Sequence, residues 1–311
     1  MNLVVTGGLG HIGSYFLRNF SEITEPACIT IIDSLQTQRF VSLFELPKNI
    51  SIKFLEKDVQ AITSQDLREI GKIDALVHLA AITDASGTVD KREELFKNNL
   101  GSTKHMIDLC GEFSIPMIFP SSTSVYGTQQ NLVDETSLDL FPQSPYAECK
   151  LSEEMEVILA ARAGLKAVVF RFGTIHGVSP GMRFHTAVNR FCYQTAIGVP
   201  LTVWKTALHQ LRPYLAVSDA TRAIRHVIVE ELLDGQIFNV VTENKTVNQI
   251  IEAIENATGK KCEISLMDNR IMNQLSYEVS NKKFSDTGFE FQGSLDQDVS
   301  DTMKLLSGLH R

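Results

Sequence analysis

A strand that runs straight into a cluster of glycines limits most of what this 311-residue chain can become. Leu3-Val4-Val5 is an apolar run of the kind that a sheet buries. Thr6-Gly7-Gly8-Leu9-Gly10-His11-Ile12-Gly13 follows, and Ser14 to Phe20 resumes at helical spacing. Gly8, Gly10 and Gly13 satisfy G-x-G-x-x-G, while Gly7, Gly10 and Gly13 satisfy G-x-x-G-x-x-G. In either register one glycine makes the turn, another lets the backbone approach a pyrophosphate, and a third lets helix and strand pack closely. The phosphates then rest on unpaired N–H groups at the helix start, around His11 and Ile12. A second apolar strand, Cys28 to Ile32, ends at Asp33, 20 positions after Gly13. A carboxylate there meets a ribose 2′-OH and repels a 2′-phosphate, which predicts NAD rather than NADP.

The rest of the chain repeats this alternation. Ile52–Glu56, Ala75–Leu79, Met117–Phe119 and Ala167–Phe170 read as further strands. Ser64–Ile70, Lys91–Phe113 and Tyr146–Ala163 read as helices, after a first helix at His11–Phe20. Strands alternating with helices predict a doubly wound parallel α/β sheet of Rossmann type, with ligands at the carboxyl ends of the strands. The residues found there are suited to such ligands. Asp58-Val59 follows the third strand, where a carboxylate accepts from an adenine amino group. His78-Leu79-Ala80-Ala81 closes the fourth, and its small side chains let backbone lie against a cofactor. Ser121-Ser122-Thr123-Ser124 closes the fifth, and four consecutive hydroxyls suit a hydroxylated substrate.

Pro145 opens a helix on which Tyr146 and Lys150 fall at i and i+4, on one face. A free tyrosine ionises near pH ~10 and is a poor base at neutrality. An ammonium beside it and an oxidised nicotinamide both favour the phenolate, which makes Tyr146 a usable general base.

Charge and cysteine use exclude several classes. The formal net charge of −8 comes with no Lys/Arg-rich run, against nucleic acid or an anionic membrane as the main partner. Five scattered cysteines form no C-x-x-C pair, which suits a reducing compartment without a disulfide framework. No metal-ligand spacing occurs among the eight histidines, so no metal is expected. Met1 leads almost directly into the first strand and no apolar run approaches ~18 residues, so the expectation is a cytoplasmic chain with neither signal peptide nor membrane span.

In order along nearly its whole length, the chain resembles the extended short-chain dehydrogenases/reductases, in the nucleotide-sugar epimerase/dehydratase group. The glycine run, Asp33, Asp58-Val59 and His78 to Ala81 carry the likeness, as do Asn99-Leu100-Gly101-Ser102-Thr103 and Ser121 to Gly127. Tyr146 with Lys150, Arg171 to Gly177 and Arg212 to Asp219 complete it. The resemblance implies Ser122 as catalytic hydroxyl, Tyr146 as base and Lys150 as its partner and ribose anchor. It adds Ser34, Asn99 and Phe172 to the cofactor contacts. For the substrate it implies Thr83, Ser122, Thr123, Thr174 and Arg212, the last through a guanidinium fork suited to a diphosphate. Arg183 and Asn189 fall in the same region and are candidates to line the sugar site. The resemblance also implies a smaller, interleaved C-terminal cap. The expected division is a NAD domain at 1–173, with 210–245 partly returning to it, and cap segments at 174–209 and 246–311. Gln236–Val241 reads as a returning strand and Val247–Ala257 as an amphipathic helix. A homodimer through the helices starting near Lys91 and Tyr146 is expected, with Met106, Cys110 and Met155 as candidates for either interface or core.

Four positions depart from the group's pattern. Thr174 stands where Asn is usual, Pro213 where Asp commonly follows the arginine, Ser102 replaces a helix glycine, and Cys149 a small hydroxyl residue. Thr174 and Pro213 put the usual substrate in question. Sugar 4,6-dehydratases of the group carry Asp-Glu after the catalytic hydroxyl, and sugar-acid decarboxylases typically a Glu two before the motif tyrosine. Thr123 and Ser124 stand there instead. The expected reaction is therefore NAD-dependent epimerisation of a nucleotide-diphosphate sugar at C4, through a 4-keto intermediate and reversible hydride transfer. A dehydrogenase, reductase or dehydratase of the same group is the nearest alternative. A catalytically silent protein binding NAD or a nucleotide sugar is the alternative of another class.

Overall fold

The computed structural model describes residues 1–20, 28–83, 91–267 and 276–309. The first half comprises β1 (Asn2–Thr6), α1 (His11–Asn19), β2 (Cys28–Asp33), β3 (Ser51–Glu56), α2 (Ser64–Ile70), β4 (Ala75–His78), α3 (Arg92–Phe113), β5 (Met117–Ser122), α4 (Pro145–Arg162) and β6 (Ala167–Phe172). The second comprises β7 (Thr174–His176), α5 (Ala187–Ala196), β8 (Leu201–Trp204), β9 (Leu211–Ala216), α6 (Val217–Val229), β10 (Asp234–Val240), β11 (Glu243–Thr246), α7 (Val247–Thr258), β12 (Ile264–Met267), α8 (Lys282–Ser285) and α9 (Leu295–Leu305).

Seven strands form one sheet in the order β10-β6-β5-β4-β1-β2-β3, all paired in parallel. The strand order reverses between β1 and β4, the place where an open α/β sheet leaves a crevice. The inner strands are apolar on both faces because both faces are covered, whereas the edge strand β3 has no buried residue. Leu3 and Val5 of β1 enter one core with Phe16 and Leu17 of α1 and Ile224 of α6. Val4 between them enters the other core, with Met106 and Cys110 of α3 and Val157 of α4. Met106 and Cys110 thus belong to the chain's own core, and of the three candidates for a subunit interface only Met155 faces outward.

Pro120 shows why β5 runs three residues past the expected Phe119. The Met117 N–H bonds Lys166 O on the β6 side, so the amide position of Pro120 faces β4. The β4–β5 pairing stops at Val77 and Ile118, while β5 and β6 stay paired to Ser122 and Phe172. Proline's missing N–H therefore falls where no ladder partner waits.

The cap is built from the sheet β11-β9-β7, the pair β12-β8, and α5, α7 and α9 around a third core containing Phe191, Ile250 and Val299. The expected cap boundary needs one correction. Phe284 of α8 and the nearby Phe289 join the main-sheet core, with Phe284 5.2 Å from Phe238 and 5.6 Å from Phe170 between ring centroids. The aromatic run around Gly288 is what draws this part of 246–311 back to the sheet. Among the described residues no helix is long and apolar enough to cross a membrane.

Candidate active site

The glycine register is resolved by contact. Gly7 has φ +63°, and a Cβ on it would stand 2.6 Å from Ala80 N. That approach follows from the sheet, since Thr6 and His78 are paired and Gly7 and Leu79 follow them directly. Gly13 lets α1 press on the turn, because its Cβ would meet Gly8 O at 2.5 Å. Gly10, between them, precedes α1 and leaves the helix's first N–H groups facing the crevice. A cavity of about 450 Å³ opens there, with Gly7, Gly10, Asp33, Asp58 and Ala80 among its lining. Ser34, Val59, Leu79, Ala81 and Thr83 line it as well. The glycine cradle, the N–H groups and the carboxylate at the β2 end fit the adenosine and pyrophosphate portion of NAD.

Asp33 also orders the turn itself, accepting from Leu9 N at 3.2 Å and Leu35 N at 3.0 Å. Gln36, Thr37 and Arg39 line the same cavity and are not apparent from the motif. Their signal was position alone, since a loop that continues from Asp33 must pass the ribose. Burial lowers the Arg39 pKa, and Asp33 opposes that shift.

Three expected cofactor contacts have side chains bonded or packed within the protein. The His11 ring is buried and donates from Nε2 to Gly177 O at 2.7 Å, leaving its backbone for the helix start. Phe172 stacks on Phe170 at 5.4 Å within the core, and its carbonyl accepts from Thr123 Oγ1 at 3.2 Å. Asn99 is buried and bonds the backbone of Ile82.

The segment after β7 lies on the glycine turn. Ser14 Oγ donates to Ser179 Oγ at 3.1 Å, Ser179 Oγ donates to His11 O at 2.9 Å, and Gly181 N donates to Ser14 Oγ at 2.9 Å. Arg183 is thereby carried to within 4.0 Å of the position a Gly10 Cβ would take. Asn189 holds that segment by donating from Nδ2 to Arg183 O at 2.7 Å, so it supports Arg183 and is itself buried.

The carboxyl end of β5 gathers the catalytic candidates. Ser144 caps α4 by accepting from Ala147 N, and Pro145 occupies its first turn. Lys150 Nζ donates to Pro120 O at 3.2 Å, filling the acceptor left free where β4 ends. This tether sets the Tyr146 turn of α4 against the strand end that carries Ser122. Burial pushes the Tyr146 phenol upward, Lys150 pulls it down, and Glu153 pushes it up again. Lys150 acts on the phenol in the expected direction, and in the protein alone burial outweighs it. Glu153 has no exposed surface and lies 3.3 Å from Lys150 Nζ. It was missed in sequence because a glutamate beside Glu154 on a helix reads as solvated.

Beyond Ser122 the hydroxyls are engaged with the protein. Ser124 Oγ donates to Ser122 Oγ at 2.8 Å, and Thr123 lies 3.4 Å from the hydroxyl of Tyr277, a buried residue not singled out from sequence. Arg212, on β9, has its Nε and Nη2 atoms buried without a hydrogen-bond partner among the described residues. A buried guanidinium with free donors is fitted to an anion. Thr174 opens β7 and pairs with Tyr214 on that same strand, two residues from Arg212. Among the described residues no cluster of His, Cys, Asp or Glu could hold a metal.

Known proteins resemble this chain in sequence and fold. The profile of the NAD dependent epimerase/dehydratase family matches residues 3–240. A Bacillus subtilis protein described as an uncharacterized UDP-glucose epimerase, YtcB, is 27% identical over 86% of this chain and 85% of its own length. A UDP-N-acetyl-alpha-D-glucosaminuronate decarboxylase of Bacillus cytotoxicus is 26% identical over 84% of this chain and 81% of its own. The structure of UDP-glucose 4-epimerase from Thermotoga maritima superposes with a TM-score of 0.86 at 23% identity, covering 98% of both chains.

Proposed function

Because the chain belongs to the NAD-dependent epimerase/dehydratase family, we propose that it is a nucleotide-sugar epimerase acting at C4, with NAD as its cofactor. The observation that carries this reading is a complete Ser122, Tyr146 and Lys150 set followed by hydroxyl side chains at 123 and 124. Neither Thr123 nor Ser124 can serve as the carboxyl acid or base of an elimination or decarboxylation. Relatives named as UDP-glucose 4-epimerases, in Streptococcus mutans and Azospirillum brasilense, make a UDP-sugar the first substrate to test.

The chemistry NAD supplies when bound is reversible hydride acceptance. Tyr146, as phenolate, takes the proton of the sugar 4-hydroxyl and later returns it to the 4-oxygen. Ser122 hydrogen-bonds that oxygen in both states. Lys150, on the same face of α4 as Tyr146, would hold its ammonium toward the phenol and anchor the ribose. Arg212 offers its free donors to the diphosphate, so the anchored end stays fixed while the sugar ring turns. Departures at Thr174 and Pro213 alter the cap around the sugar, which supports a substrate differing from UDP-glucose in its ring substituents.

The test is incubation with UDP-, GDP-, CDP- and dTDP-sugars without added cofactor, read by NMR. A catalytically formed C4 isomer is expected. Loss of water or carbon dioxide, or turnover only with added NAD, would overturn the reading. Tyr146→Phe is expected to abolish turnover while NAD stays bound.

A further inference from the structure

Behind the Tyr146 and Lys150 face, α4 buries a carboxylate that the reaction above does not use. Glu153 Oε2 lies 3.3 Å from Lys150 Nζ, and its Oε1 accepts from Thr103 Oγ1 at 2.6 Å. Since Thr103 gives its proton to Glu153, its oxygen must accept from His78 Nε2, 3.3 Å away. The proton of the imidazole is therefore on Nε2. Burial, helped by the Lys150 charge, lowers the His78 pKa to about 3, so the ring is neutral and Nδ1 accepts from Thr6 Oγ1 at 2.8 Å. Thr6 in turn accepts the Ala80 N–H at 3.3 Å. Every proton in this chain has one place, and it runs from the backbone beside Gly7 to the catalytic lysine. Thr6, His78, Thr103, Glu153 and Lys150 are all buried.

Among the described residues the charges facing Tyr146 are few. Lys150 and Arg183 favour the phenolate, while Glu153 and Cys149 oppose it. From β4 comes the neutral His78. The strand β5 contributes the Pro120 carbonyl and the Phe119 ring, whose centroid lies 4.7 Å from the ammonium. Arg171 of β6 is occupied by Glu154 and by the Tyr126 hydroxyl. From α3, Arg92 and Lys104 pair with Glu148 and Glu156 on the outer side of α4. Among the described residues Glu153 is thus the one buried carboxylate bonded to the lysine, and apolar packing alone would not call for a charge there.

We propose that Glu153 is a positioning residue that balances the Lys150 ammonium, fixing it against Pro120 and offsetting part of its pull on the Tyr146 phenol. The inference rests on the role given above to Tyr146 as base. It makes Glu153 a setting for the pH at which that base forms.

Tyrosinate absorbs in the near ultraviolet, so the NAD-loaded protein and Glu153→Gln can be titrated with the same titration of Tyr146→Phe subtracted. The expected result is a Tyr146 transition displaced to lower pH by about one unit, a tenfold gain in phenolate below the midpoint. Glu153→Asp, which keeps the charge, is expected to titrate with the wild type. If Glu153→Gln does not fold, Glu153→Met fills the space without charge and carries the same expectation. A Gln or Met variant that melts earlier but titrates like the wild type would show a structural role only and overturn the proposal. The titration needs no sugar, so it stands or falls separately from the epimerase reading.

Discussion

Asn99 holds both polar backbone groups of Ile82, accepting from its N–H at 2.8 Å and donating to its carbonyl at 2.9 Å. The residue reaches the cofactor cavity only through the segment it fixes, which includes Leu79 to Thr83 along the wall. Asn99→Leu removes both bonds and leaves two backbone groups to find other partners. A loss of about 2 kcal/mol is expected at roughly 1 kcal/mol per bond. Retention of NAD should weaken by more than tenfold, because the wall must be ordered again when the cofactor binds. Cofactor release on gel filtration, with the melting temperature beside it, checks this.

Gly7→Ala tests the resolved register of the glycine turn. The new methyl would stand 2.6 Å from Ala80 N in a backbone with φ +63°. Left-handed backbone alone disfavours alanine by about 1 kcal/mol, and the contact with paired strands adds to it. The expected product is a folded but destabilised chain without bound NAD. Measured cofactor content at wild-type level would show that the turn relaxes more easily than the sheet register implies.

The sheet was legible because its inner strands are apolar on both faces, as Leu3, Val4 and Val5 are, and a run of that kind has few other homes. Asp33 and the Tyr146–Lys150 spacing were legible because the chemistry fixes them close together along the chain. What was not legible depends on contacts between distant segments. Pro120 looks like a strand end until the shorter β4 is known. Glu153 looks solvated until Thr103 is known to face it. Arg39 gains meaning from the cavity, and Asn189 from the Arg183 carbonyl it holds through Nδ2. In the cap, β12 has no buried residue and so no alternation to read.

A pH dependence of stability follows from His11. Burial lowers its pKa to about 4 from 6.5. Between those values the unfolded chain binds a proton that the folded chain refuses. Stability therefore rises with pH through this window, and it falls as the pH drops below 6.5, levelling once the folded ring also protonates. The contribution is on the order of 3 kcal/mol. His78, lowered to about 3, acts with the same sign. Urea unfolding at several pH values should show the slope, and His11→Gln should make it shallower by about one proton. An unchanged slope in that variant would mean the ring is hydrated in the folded protein.

The outward face of α4 carries an exposed apolar pair. Met155 and Leu159 are 59% and 56% exposed and stand one turn apart on it. The ion pairs Arg92–Glu148 and Lys104–Glu156 join α3 to α4 along the same side, so the two helices present one rigid surface. An exposed apolar pair on such a surface suits a second copy across a two-fold axis, where each helix pair meets its own image. Burying one such side chain is worth about 2 kcal/mol, so the pair contributes a substantial part of a dimer's stability. Met155→Glu combined with Leu159→Glu places four carboxylates at the centre of that interface. Light scattering after gel filtration should find a dimer for the wild type and a monomer for the double variant, with NAD content unchanged because neither side chain reaches the cavity. A wild-type monomer, or a double variant that remains dimeric, would place the subunit contact elsewhere or remove it.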